Sequence, residues 1–83
     1  MRKIVHIKIR DKIIDCQMEN GDIFEFDMLP IISKNTPMTI PLQEKQFFEK
    51  VFIELGALSW PNGFEIHADT IEKDGKLLKK KLS

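Results

Sequence analysis

Ala57-Leu58-Ser59-Trp60-Pro61-Asn62-Gly63-Phe64-Glu65-Ile66 reads as two short strands folded back on each other by a Pro-Asn-Gly turn. Pro61 presets φ for the second turn position, Asn62 accepts the bridge or left-handed region, and Gly63 takes positive φ. Trp60, the only tryptophan, stands at the mouth of that turn. From there its ring covers one end of the core while the indole N–H reaches a backbone carbonyl. A second reading treats Trp60, Asn62 and Glu65 as a contact patch, because tryptophan is over-represented at interface hot spots.

Working outward toward the N-terminus, Val51 to Leu55 alternates as a strand, with Val51, Ile53 and Leu55 on one side and Gly56 as its break. The spacing of Phe47, Phe48 and Val51 predicts a helix over residues 44–50, too short to hold without packing on a sheet. Met38-Thr39-Ile40-Pro41-Leu42 reads as extended and Pro-bounded. Residues 33–37 read as a loop, and Leu29-Pro30-Ile31-Ile32 as a single helical turn opened by Pro30. Further back, period-2 alternation predicts a three-stranded meander. Val5, Ile7 and Ile9 face inward on the first strand, Ile14, Cys16 and Met18 on the second, and Phe24, Phe26 and Met28 on the third. Asp11-Lys12 and Glu19-Asn20-Gly21-Asp22 connect them, Asn-Gly being a strong hairpin signal.

Working toward the C-terminus, Asp69-Thr70-Ile71 reads as a last turn with Asp69 at its N-cap. The lysine-rich remainder reads as a mobile tail. The expectation is therefore one small α+β domain over residues 1–72, followed by a tail over 73–83. It contains an antiparallel sheet, made of the N-terminal meander plus C-terminal strands, with one short helix packed against it.

Composition narrows the function classes. Eighty-three residues with 42% hydrophobic and 31% charged content suit a globular domain and not a disordered one. A single cysteine, Cys16, excludes an intramolecular disulfide and a cysteine-cluster zinc site. Met1-Arg2-Lys3 followed by alternating residues lacks the apolar core of a signal peptide, and no run is long enough to span a bilayer. A cytoplasmic, membrane-free protein is expected. Residues 1–71 carry eight Lys and Arg against eleven Asp and Glu, whereas residues 72–83 carry five lysines against two acids. The body is mildly acidic, which is a poor nucleic-acid surface.

No catalytic residue, metal ligand set or cofactor site is assigned. Cys16 falls on an apolar strand face, where a free thiol behaves as a small hydrophobe. His6 and His67 have no metal-ligand spacing. Asp27 and Glu65 sit near strand ends with nothing in the spacing to bring them together.

Several segments in this order carry a family resemblance: Glu19-Asn20-Gly21, Phe26-Asp27-Met28-Leu29-Pro30, Pro41-Leu42 followed by Phe47-Phe48-Glu49-Lys50-Val51, then Trp60-Pro61-Asn62-Gly63 with Glu65 and Asp69-Thr70-Ile71. Over about residues 4–72 the chain resembles the small bacterial family called domain of unknown function 2442. It departs at Glu65, where the family usually has Asp, at Ala68, where proline is common, and at Ile71, where Leu is usual. The resemblance implies a small α+β domain often encoded beside another small protein, in pairs that look like toxin–antitoxin modules.

Together these readings point to a non-enzymatic protein-interaction domain, the antitoxin-like or regulatory member of a two-gene module. Its expected partner is a small protein encoded nearby. The contact surface is a sheet edge or the hairpin residues Trp60, Pro61, Asn62, Gly63 and Glu65. A homodimer is a second expectation, because pairing hides exposed sheet edges. The alternative is a nucleic-acid-associated regulator using Lys76, Lys79, Lys80 and Lys81 for phosphate contacts. A small enzyme or ligand-binding domain ranks last.

Overall fold

Alternation builds the first half of the molecule. In the computed structural model, which describes residues 2–81, β1 (Ile4–Arg10), β2 (Ile13–Met18) and β3 (Ile23–Asp27) form an antiparallel meander. Ile14, Cys16 and Met18 lose all solvent exposure, and Phe26 and Met28 are buried beside them. Val5 corrects the expected inner face of β1. Ile4 pairs with Met18 and His6 with Gln17, so Val5 is the extra residue of a β-bulge and its side chain is exposed. Ile4 takes the inner place instead.

The hairpin between β2 and β3 uses a three-residue loop in place of a two-residue one. The Gly21 N–H donates to Met18 O and the Met18 N–H to Asp22 O, with Gly21 at φ 96. This is a turn closed by a left-handed glycine, and Asn20 itself needs no positive φ. The Asn20 Oδ1 accepts the Asp22 N–H at 3.0 Å.

After β3 the Asp27 Oδ1 accepts the Leu29 N–H at 3.0 Å and starts α1 (Leu29–Ile32), which seats Ile32 in the core. Residues 38–42 are not extended. Thr36 and Thr39 exchange backbone and hydroxyl hydrogen bonds, and a 3-10 turn follows over Ile40–Gln43. Pro41 fits there because the first turn needs no N–H from it. The predicted helix over 44–50 is one turn, α2 (Lys45–Phe48). Its anchor is Phe48, which is 1% exposed and has the Lys12 Nζ 5.3 Å from its ring centre.

β4 (Phe52–Glu54), β5 (Ala57–Ser59) and β6 (Glu65–Ile66) form a second antiparallel sheet in that order. Leu55 is not an inward strand residue. It lies at φ 50 in a two-residue turn with Gly56, φ 79, and is 92% exposed. In the following helix, α3 (Ala68–Asp74), the N-cap position is His67, which makes no side-chain capping bond; Asp69 stands in the first turn, where a carboxylate still complements the helix N-terminus.

The expected tail over 73–83 is the largest departure. Lys73 and Asp74 complete α3, and β7 (Lys76–Lys79) pairs antiparallel with β3, giving the first sheet the order β1-β2-β3-β7. Gly75 permits the passage. A Cβ there would overlap the Ile71 carbonyl oxygen and lie 3.2 Å from that of Glu25. The Lys81 N–H then donates to Asp22 Oδ1 at 3.0 Å. Leu82 and Ser83 lie outside the described residues.

One core joins the two sheets. Ile4, Ile14, Met18 and Phe26 from the first pack in the same cluster as Leu58 and Ile66 from the second, Trp60 just after β5 and Ile71 of α3. Burying each of these side chains contributes roughly 1.5–3 kcal/mol. The Ile4 N–H donates to Gly56 O at 2.9 Å, linking the sheets directly. Among the described residues no helix is long and apolar enough to cross a membrane.

Candidate interaction surface

The Trp60–Phe64 loop repeats the geometry of Met18–Asp22. The Gly63 N–H donates to Trp60 O at 3.0 Å and the Trp60 N–H to Phe64 O at 2.9 Å, with Gly63 at φ 90. The Asn62 Oδ1 accepts the Phe64 N–H at 3.1 Å and its Nδ2 donates to Met38 O at 3.0 Å. Both ends of that amide are therefore occupied. Trp60 is 1% exposed, and its Nε1 donates to Phe48 O at 3.0 Å. Its ring tilts against Phe48 and Phe64 at centroid distances of 6.2 and 5.6 Å.

These facts correct the contact-patch reading at its centre. The indole faces the core, so a partner meeting this hairpin meets Pro61, Gly63 and Glu65 and not the tryptophan. Glu65 lies 3.3 Å from the Nε2 of His67, both on the surface.

The other candidate groups stay apart. Cys16 is fully buried, and that burial, with Asp15 adding to it, pushes the thiol up to about 12. Such a thiol is not a nucleophile at neutral pH. His6 belongs to the first sheet, and His67 follows the second. Asp27 spends one oxygen on the start of α1, in the opposite sheet from Glu65. Among the described residues no three His, Cys, Asp or Glu side chains converge as metal ligands.

Lys76, Lys79, Lys80 and Lys81 are all exposed, the first two on β7 and the others just beyond it. β7 is an edge strand. Among the described residues it pairs with β3 on one side only, and all four of its residues are exposed. Two leucines sit among these lysines. Leu77 pairs with Phe24, while a register shift leaves Leu78 as an extra residue, 47% exposed.

Leu78 and Ile23 floor a groove of about 270 Å³ on the solvent face of the first sheet, with His6, Lys8, Gln17 and Lys79 along its walls. Asp15 also reaches it, but Arg10 holds both of its oxygens at 2.7 and 2.8 Å and takes Glu25 at 2.6 Å. Those hydrogen bonds keep the Asp15 carboxyl below its ordinary 3.8. Sequence reasoning missed this groove. Its one signal was Ile23, an apolar residue at an outward position of an alternating strand.

Comparison with protein-family models, with curated proteins and with solved structures finds no match.

Proposed function

We propose that the chain is a non-enzymatic protein-interaction domain that takes its partner by strand addition at the free edge of β7. The observation that carries this reading is that edge: among the described residues, one side of the backbone is unpaired along four exposed residues, with Leu77 and Leu78 45% and 47% exposed. Such an edge offers main-chain hydrogen bonds for affinity and alternate side-chain positions for specificity. The placing of Cys16, His6 and Asp27 in the first sheet, away from the exposed Glu65–His67 pair that follows the second, supports binding over catalysis. The family resemblance supports a partner encoded nearby, and with it an antitoxin-like or regulatory role in a two-gene module.

The test is co-expression with the product of the adjacent gene. A stable complex is expected to co-purify, and Leu78→Glu is expected to weaken it. Independent elution of the two proteins overturns the reading. Salt-sensitive retention on DNA with no protein partner favours the nucleic-acid alternative.

A further inference from the structure

We infer that the groove beside β7 is a receptor for an acidic extended segment of the partner, one whose apolar side chain seats on Ile23 and Leu78. This rests on β7 being the contact edge and names the chemistry of what binds there.

Charge decides the class of partner. Both Asp15 oxygens are committed to Arg10, which also takes Glu25, so these three groups together keep one negative charge against the lysines around them. The groove's remaining charges are Lys8 and Lys79, and among the described residues neither lies within ion-pair distance of an acid. Lys76, Lys80 and Lys81 extend the same sign along the edge. A carboxylate-bearing segment complements this field, and complementary charge selects partners and speeds encounter.

The same lysines argue against a second copy as the occupant. Antiparallel pairing of two β7 strands brings each Lys76–Lys81 run against its twin, and like charges set opposite each other across strands repel. Nucleic acid is disfavoured for a different reason. The solvent face also presents Glu25 and Asp27, and phosphates need an uninterrupted basic track.

The bulge explains the apolar floor. Ile23 pairs with Lys79 and Phe24 with Leu77, so Leu78 is left over and lies on the solvent face next to Ile23. A strand added to β7 runs about 4.8 Å away and projects every second side chain over that face. One apolar side chain there covers Leu78 and Ile23. Acids on either side of it meet Lys76 and Lys79, and Lys8 takes another where the segment leaves the strand and crosses the sheet.

The probe is a fluorescein-labelled peptide alternating glutamate with valine and phenylalanine, compared with its lysine counterpart and a single-stranded DNA oligonucleotide. Binding is read by anisotropy, and its place by amide shifts in NMR spectra of the full chain. The glutamate peptide is expected to shift β7 together with Ile23 and Lys8, and to bind more tightly than the lysine peptide. The double variant Lys8→Gln, Lys79→Gln is expected to weaken it roughly tenfold, equivalent to about 1.4 kcal/mol from two exposed ion pairs. Equal binding of both peptides at β7 with a silent groove overturns the inference while the edge reading survives. No shift in β7 with either peptide overturns both. DNA shifting the groove more strongly than the acidic peptide assigns the site to nucleic acid and overturns the inference.

Discussion

Replacing Trp60 by phenylalanine separates a core role from a surface role, because only a core role has a cost that the structure lets one calculate. The indole is 1% exposed and donates to Phe48 O. Losing that hydrogen bond costs about 1 kcal/mol, and not more, because Phe48 O still accepts the Val51 N–H at 3.3 Å. The smaller ring leaves a gap between Phe48 and Phe64 that contributes roughly 1–2 kcal/mol further. The total, about 2–3 kcal/mol, lowers Tm by roughly 10–20 °C in a domain of this size. Far-UV circular dichroism during thermal and urea unfolding measures it. The wild-type tryptophan should emit as a buried indole and resist iodide quenching until the chain unfolds. A destabilisation under about 0.5 kcal/mol would refute the reasoning, since a surface tryptophan has that signature.

Leu55→Asn is expected to stabilise the protein by about 0.5–1 kcal/mol, visible as a raised urea midpoint. The leucine sits at φ 50 with almost no burial to lose, and asparagine tolerates that region better; an unchanged or lower midpoint contradicts this. Gly75→Ala should cost about 1–3 kcal/mol through the overlap with Ile71. Hydrogen exchange should show the loss first in the β3 and β7 amides, and full protection there would refute it. Asp15 has a depressed pKa in the folded state, caused first by its hydrogen bonds to Arg10. Its stabilisation is therefore present above the unfolded value and lost as pH falls through the folded one, in a window below about pH 4. Arg10→Gln should flatten the stability curve in that window, and an unaltered acid limb rules the assignment out.

The parts of the fold that were legible from the residues are those governed by short-range rules. Strict alternation from Ile13 to Met28, punctuated by Asn20-Gly21, leaves one way to bury Cys16 and Phe26 together. The turn at Pro61-Asn62-Gly63 is likewise a local matter. Val5 escaped because a bulge shifts the side-chain period by one, and nothing in Ile4-Val5-His6 marks where the extra residue falls. Residues 76–79 escaped for a longer-range reason. Their pairing partner, β3, lies some fifty residues upstream in sequence, and two leucines between lysines look like a solvated run until a sheet edge is there to receive them. Part of the candidate surface was hidden by the same cause. The groove exists only once Leu78 stands next to Ile23 and across the sheet from Lys8.

The two matching loops have a consequence for how this protein ages chemically. Asn-Gly is the dipeptide most prone to deamidation, in which the glycine nitrogen attacks the asparagine side-chain carbonyl carbon and expels ammonia. In both loops that nitrogen is engaged, Gly21 with Met18 O and Gly63 with Trp60 O. The asparagine oxygens are held as well, by Asp22 and Phe64. Neither pair of reacting atoms is free to meet while its hairpin is closed. Each opening of a hairpin releases one pair, so the isoaspartate that accumulates at position 20 or 62 records how often that end of the molecule has come apart.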